Sequence, residues 1–196
     1  TEDFVEVALG TPGVDLGRIE AAPLLHPDLP DQAAPGVVTI MAVPRLDASG
    51  SSWPVPARFV LDQICRHLAP RRLITTELHV RGPEYRDVSL SIGVEVITGY
   101  DQAPVLSAVR TAIRNFLSPL TGGFGGTGWP LGADVDLGEI SAEATRVDGV
   151  AKTTGLLMAG PEGSETTLAP IAGLQLPRLT SLCVSGGPPG PLNPPE

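Results

Sequence analysis

The sequence predicts an α+β fold made of two small tandem α/β-sandwich units with short mixed or antiparallel sheets. Three observations lead there. Apolar residues alternate with period two in some segments and recur every 3.6 residues in others. Elements follow the order strand, helix, two-stranded hairpin, helix, glycine bridge, short helix, strands. Gly 23 and Pro 21 in a chain of 196 residues keep every element short.

The first 35 residues read as a short helix and an acidic connector. Phe4 and Ala8 share one side of a helix over residues 1–9, which Gly10, Pro12 and Gly13 end. Residues 23–35 are broken by prolines. Glu2, Asp3, Glu6, Asp15, Glu20, Asp28 and Asp31 face only Arg18 in this part of the chain, so nucleic acid would be repelled there.

Residues 36–99 form the first expected unit. Val37 to Val43 is a β-rich run closed by Pro44, and 47–56 is loop. Over 56–68, Ala57, Val60, Leu61, Ile64, Cys65 and Leu68 make one stripe, with Arg58, Asp62, Arg66 and His67 opposite, the period of a helix lying on a sheet. Ile74, Thr76, Leu78 and Val80 then alternate with polar residues. After Gly82-Pro83-Glu84, so do Val88, Leu90, Ile92, Val94 and Val96, which predicts a hairpin with one buried face. A boundary is expected near Gly99.

Residues 100–185 form the second. Asp101 is placed to cap a helix that buries Val105, Val109, Ala112, Ile113, Phe116 and Leu117 and that Pro119 stops. A glycine-rich bridge follows. Asp136 with Glu139 three residues on marks a second helix start, with Ile140, Ala144 and Val147 on its inner face. Residues 150–158 and 179–184 read as strands, and 160–163 as a turn. The segment 186–196 has five prolines and is expected to be extended or disordered.

Composition bounds the function. With 42% apolar residues the chain can bury a core, and with 4% aromatics that core is aliphatic. A net charge of -9 and a loose scatter of arginines from Arg58 to Arg86 fit protein contact better than a phosphate tract. Cys65 and Cys183 supply neither a disulfide framework nor a CxxC metal site. The absence of a run of 18 apolar residues and of a charged-then-apolar leader is the pattern of a soluble, cytoplasmic product that does not insert in membranes. The start at Thr1 suggests a portion of something longer.

Candidate sites are few. Gly123-Phe124-Gly125-Gly126-Thr127-Gly128 matches the dinucleotide pattern G-x-G-x-x-G. A nucleotide cradle needs a strand before the glycines and a helix opening on the third, whereas here a helix precedes and Trp129-Pro130 follows. His26, His67 and His79 show no HxxxH spacing, so no metal is expected. Asp134, Asp136 and Glu139 are simplest as helix-start acids. No catalytic residue, cofactor or metal is assigned, and the chain reads as no enzyme. Trp129 is either a local core plug or an interface anchor.

Six segments in sequence carry a resemblance. They are Thr1-Glu2-Asp3-Phe4, Ala34-Pro35-Gly36-Val37-Val38, Pro83-Glu84-Tyr85-Arg86-Asp87-Val88, Phe116-Leu117-Ser118-Pro119-Leu120-Thr121-Gly122-Gly123, Gly128-Trp129-Pro130-Leu131-Gly132 and Asp148-Gly149-Val150. Together, over roughly residues 1–185, they are similar to the C-terminal portion of the baseplate J-like family, the wedge proteins of contractile phage tails and contractile injection systems. The resemblance implies a structural wedge subunit, in several copies of a sixfold ring, linking hub and spike to sheath and in some systems to tail fibres. It carries no catalytic residues. In that setting Trp129, Phe124, Arg72, Arg81 and Arg86 are the expected interface residues. The acidic surface of the first 35 residues is one possible complement, and Trp129→Ala should impair assembly while the monomer stays folded. The proline-rich tail departs from the family pattern.

Overall fold

The computed structural model describes residues 2–29, 32–72 and 75–192. Thr1, Asp31, Ile74 and the last four tail residues, which figured in the expectations above, lie outside the described residues. The chain divides into two compact units, residues 1–84 with 172–175, and residues 85–171 with 176–196.

The first unit holds a three-stranded sheet in the order β1-β2-β3, from β1 (Leu16–Pro23), β2 (Val37–Pro44) and β3 (Glu77–Arg81). β1 runs antiparallel to β2, and β2 runs parallel to β3. Helix α1 (Glu2–Leu9) precedes the sheet and α2 (Arg58–Leu68) links β2 to β3. Period-two alternation divides the strands cleanly. Ile19, Ile40, Ala42 and Val80 join Ala8, Ile64 and Leu68 in one core, with Val38 and Leu78 packed against it. Thr39, Met41, Glu77, His79 and Arg81 occupy the alternate positions of their strands, hence the other face.

Strand β1 escapes the sequence pattern because its register shifts between Leu16 and Arg18, which breaks the alternation at Gly17. The buried Arg18 also disguises it. Its side chain is 7% exposed, and the guanidinium is held by Glu20 two residues along at 2.8 Å. In α2 the inner stripe is narrower than expected. Ile64 and Leu68 are buried, but Cys65 is exposed, because it lies about 100° around the helix from Ile64.

The expected hairpin does not form. β3 pairs with β2, whereas the next strand, β4 (Glu84–Val96), belongs to a sheet ordered β6-β4-β8. Alternation records which face of a strand is buried but not which neighbour it bonds, so parallel pairing across α2 and hairpin pairing leave the same sequence pattern. The division of the chain accordingly falls between Glu84 and Tyr85, ahead of the turn at Gly99.

In the second unit β4 is flanked by β6 (Val150–Ala159), antiparallel to it, and β8 (Gln175–Gly186). Leu90, Ile92 and Val94 are buried in β4. Helix α3 (Gln102–Phe116) buries Val105, Val109, Ile113 and Phe116, and its Arg110 donates to the Val184 carbonyl of β8 at 2.9 Å. Helix α4 (Leu137–Thr145) buries Ile140 and Ala144, and its Ser141 hydroxyl meets that of Thr153 on β6 at 2.8 Å. Asp101 occupies the N-cap position of α3 without a side-chain bond, while Asp136 caps α4 by accepting from the Gly138 N–H at 2.6 Å. A two-residue pairing of β5 (Val135–Asp136) with β7 (Leu168–Ala169) completes the elements. The α+β class is as the sequence predicts. Among the described residues no helix is long and apolar enough to cross a membrane.

Candidate functional site: the glycine-rich bridge

The bridge begins where α3 stops. The Gly123 N–H donates back to Phe116 O at 2.8 Å and the Gly122 N–H to Ser118 O at 3.0 Å, closing the helix end. A Cβ at Gly122 would stand 2.3 Å from Phe116 O and 2.4 Å from Ser118 O, so only glycine fits there. The Ser118 hydroxyl accepts from the Leu120 and Thr121 N–H groups. Pro119 could not have continued the helix.

The rest of the loop is closed on itself. Gly126 N–H donates to Gly123 O, Gly128 N–H to Gly122 O and Trp129 N–H to Ser118 O, at 3.3, 3.0 and 3.2 Å. A phosphate cradle needs such N–H groups pointing outward, free to meet an anion. Here the carbonyls of Gly123, Gly122 and Ser118 take those of Gly126, Gly128 and Trp129. The next helix start, at Leu137, already has the Asp136 carboxylate on it.

Three aromatic rings organise the bridge. Phe116 stands edge-on to Trp129, with centroids 5.4 Å apart and planes at 89°, and to Phe124 at 5.2 Å and 69°. Both are favourable quadrupole arrangements. Trp129 is 1% exposed and its indole N–H donates to Ala133 O at 2.8 Å, so its one polar atom is satisfied. Of the two roles left open by the sequence, this burial supports the local plug. Phe124 differs: it is 61% exposed, and the Arg146 guanidinium lies 5.6 Å from its ring centre while bonding Glu143 at 2.7 Å. The aromatic that the bridge presents to the outside is Phe124.

The expected arginines divide between the units. Arg72 and Arg81 belong to the first and are exposed, Arg72 donating to Thr76 O at 3.3 Å. Arg86 belongs to the second and is half-buried beside a concavity of about 180 Å³ that also touches Glu162 and Ser164. Its Nε is buried without a hydrogen-bond partner among the described residues. Trp129 and Phe124 are brought together through Phe116.

Other features were invisible in the sequence. In the 47–56 loop, Asp47 accepts from the N–H and hydroxyl of Ser49 and from the Ser51 and Val55 N–H groups. The Ser49 hydroxyl first, then the backbone donors, hold its carboxyl down at about 2. The tail up to Leu192 bends at 187 and 188 and lies against the second unit. Ser91 donates to Gly190 O at 2.7 Å and Ser185 to Pro188 O at 2.7 Å. Finally, His26 and His79, fifty-three positions apart, stand with ring centroids 4.7 Å apart.

No protein-family profile matches the chain, and no curated protein matches it. Among solved structures, a chain of the sixfold-symmetrised cryo-EM structure of the anti-feeding prophage baseplate is similar, at 15% identity and a TM-score of 0.57. The likeness covers 89% of this chain but 36% of that one, so the present chain spans about a third of its neighbour's length. At this identity the two share a fold, and the fold is that of a portion of a baseplate protein.

Proposed function

We propose that this chain is a structural subunit of the baseplate of a contractile injection machine or phage tail, of the wedge type, present in several copies around a sixfold ring. The observation that carries the proposal is the fold likeness over 89% of the chain to a baseplate protein. The ordered array of short motifs, ending in the Phe116 to Gly132 passage, supports it independently. Its partners are other wedge subunits, hub and spike, sheath and, where present, tail-fibre proteins. Assembly takes place in the cytoplasm, without nucleic acid and without direct membrane insertion.

Physical features fit a part that works by contact. The bridge turns the N–H groups of Gly122, Gly123, Gly126, Gly128 and Trp129 inward and shows an exposed Phe124 backed by Arg146. Aromatic and arginine side chains are enriched where interfaces bind most strongly. Arg72 and Arg81 are exposed for the opposite partner of such contacts, and Asp3 and Glu6 of α1 offer acidic surface to the arginines of a neighbour. In this reading the subunit has no catalytic task.

The test is deletion of the chain from the producing cell, followed by electron microscopy and composition analysis of the particles. Loss of complete baseplates, restored by the wild-type chain and not by Phe124→Glu, is the expected result. Complete, contractile particles formed without it would overturn the proposal. Calorimetry with NAD and ATP checks the nucleotide alternative for residues 123–128, and no saturable heat is expected.

A further inference from the structure

Within the first unit, the face of the sheet turned away from the helices carries a cluster that the sequence does not announce. Glu77 and His79 are two residues apart on β3, which puts both side chains on one side of the strand. His79 Nε2 lies 3.0 Å from Glu77 Oε1. In the parallel register His79 stands beside Thr39 of β2. The Thr39 hydroxyl in turn donates to Leu25 O at 2.6 Å, pinning the turn that follows β1 above this face. That turn is tight: Leu24 takes a φ of 63° and the Leu29 N–H closes onto His26 O at 3.0 Å. It delivers the His26 ring edge-on to His79, with planes at 70°.

We propose that His26, Glu77 and His79 form a binding site for a divalent transition metal ion of the zinc class. One ligand atom from each of the three lies within 4.8 Å of the other two. Tetrahedral ligands at about 2.0 to 2.1 Å from zinc stand about 3.3 Å from one another, so one pair is already at that spacing and the rest must close by about 1.5 Å. Glu77, 60% exposed, is free to swing by that much, while His79, 19% exposed, is held by the sheet. Two imidazoles and one carboxylate are a borderline donor set that suits zinc, nickel and cobalt over calcium or magnesium. Water takes the fourth position. The Asp28 N–H now donates to His26 Nδ1 at 3.1 Å. This bond is exposed, so water replaces Nδ1 as its acceptor when the ring turns over its proton to bind metal through Nε2.

The consequence is a clamp. A metal there ties the turn after β1 to edge strand β3, two segments otherwise joined through β2 and the His26–His79 ring contact. Cobalt(II) titration of the whole chain followed by visible absorption, and zinc(II) by calorimetry, test the site directly. The expected result is one equivalent bound, with tetrahedral cobalt bands. Affinity should fall at least about tenfold in His26→Gln and again in His79→Gln, since losing even a supporting group costs that much. His67→Gln serves as control and should bind as wild type. Circular dichroism identifies any variant that fails to fold, and Glu77→Gln, on an exposed side chain, then supplies the same reading. Absence of one-to-one binding in the wild type, or undiminished binding in the His26→Gln/His79→Gln double variant, overturns the proposal.

Discussion

Gly93 of β4 and Gly155 of β6 stand directly opposite each other in the antiparallel register, and Pro189 of the tail fills the space their missing side chains leave. A Cβ at Gly155 would lie 2.9 Å from the proline Cδ, and one at Gly93 would lie 2.7 Å from its nitrogen. The register shift beside Gly93 leaves Thr154 as the extra residue, and its hydroxyl bonds Gly187 O. The proline-rich segment is thus strapped to the sheet through bare backbone and a few hydroxyls.

Gly155→Ala should loosen that strap without unfolding the sheet, because the added methyl meets only the proline ring. The expected outcome is faster hydrogen exchange and proteolysis of residues 186–192, with the denaturation midpoint near that of wild type. Gly93→Ala should be more harmful, since its Cβ would also meet the Gly187 carbonyl at 2.3 Å. Equal protection of the tail in both variants would remove the glycine groove as its cause.

Trp129→Ala should destabilise the second unit by about 3 to 5 kcal/mol, the range for emptying a large buried aromatic site. Phe124→Ala, on an exposed ring, should cost less than about 1 kcal/mol. Urea denaturation measures both. A Trp129→Ala chain as stable as wild type would return Trp129 to the role of interface anchor.

Asp47 gives a pH dependence with a definite sign. Its folded carboxyl titrates at about 2 against an ordinary 3.8, so the ionised form is favoured by the fold. The stabilisation is therefore complete above about pH 4 and is lost as pH falls through about 2. Carbon-13 titration of the carboxyl should show this low midpoint. Asp47→Asn should abolish that acid step and loosen residues 49–55 at neutral pH.

Arg178 of β8 grips Asp87 of β4 with two bonds, at 2.6 and 3.0 Å. The Arg178 side chain is 45% exposed, so solvent screens the pair. Arg178→Ala should cost under about 1 kcal/mol. A double-mutant cycle with Asp87→Ala should give a coupling energy that shrinks in high salt.

Helices and single strands were legible in the sequence wherever the burial pattern is local. The stripe through Val105, Val109, Ile113 and Phe116, the run Val37 to Pro44, and the stop at Pro119 all follow from side-chain period and backbone chemistry within a few residues. Strand β1 was not legible, because a register shift at Gly17 and a buried, paired Arg18 mimic a loop. The site was half legible. Glycines with Trp129 marked the bridge, but which aromatic is buried depends on Phe116 standing between Trp129 and Phe124.

By itself the sequence determined the α+β class, the placement of most elements and the poor fit of the glycine loop to a phosphate cradle. Those properties rest on interactions between neighbours in the chain. Only the tertiary structure decided that β3 bonds β2 and leaves β4 to another sheet, that the tail lies over Gly93 and Gly155, and that His26 meets His79. Each depends on residues far apart in sequence, where alternation and spacing carry no record of the partner.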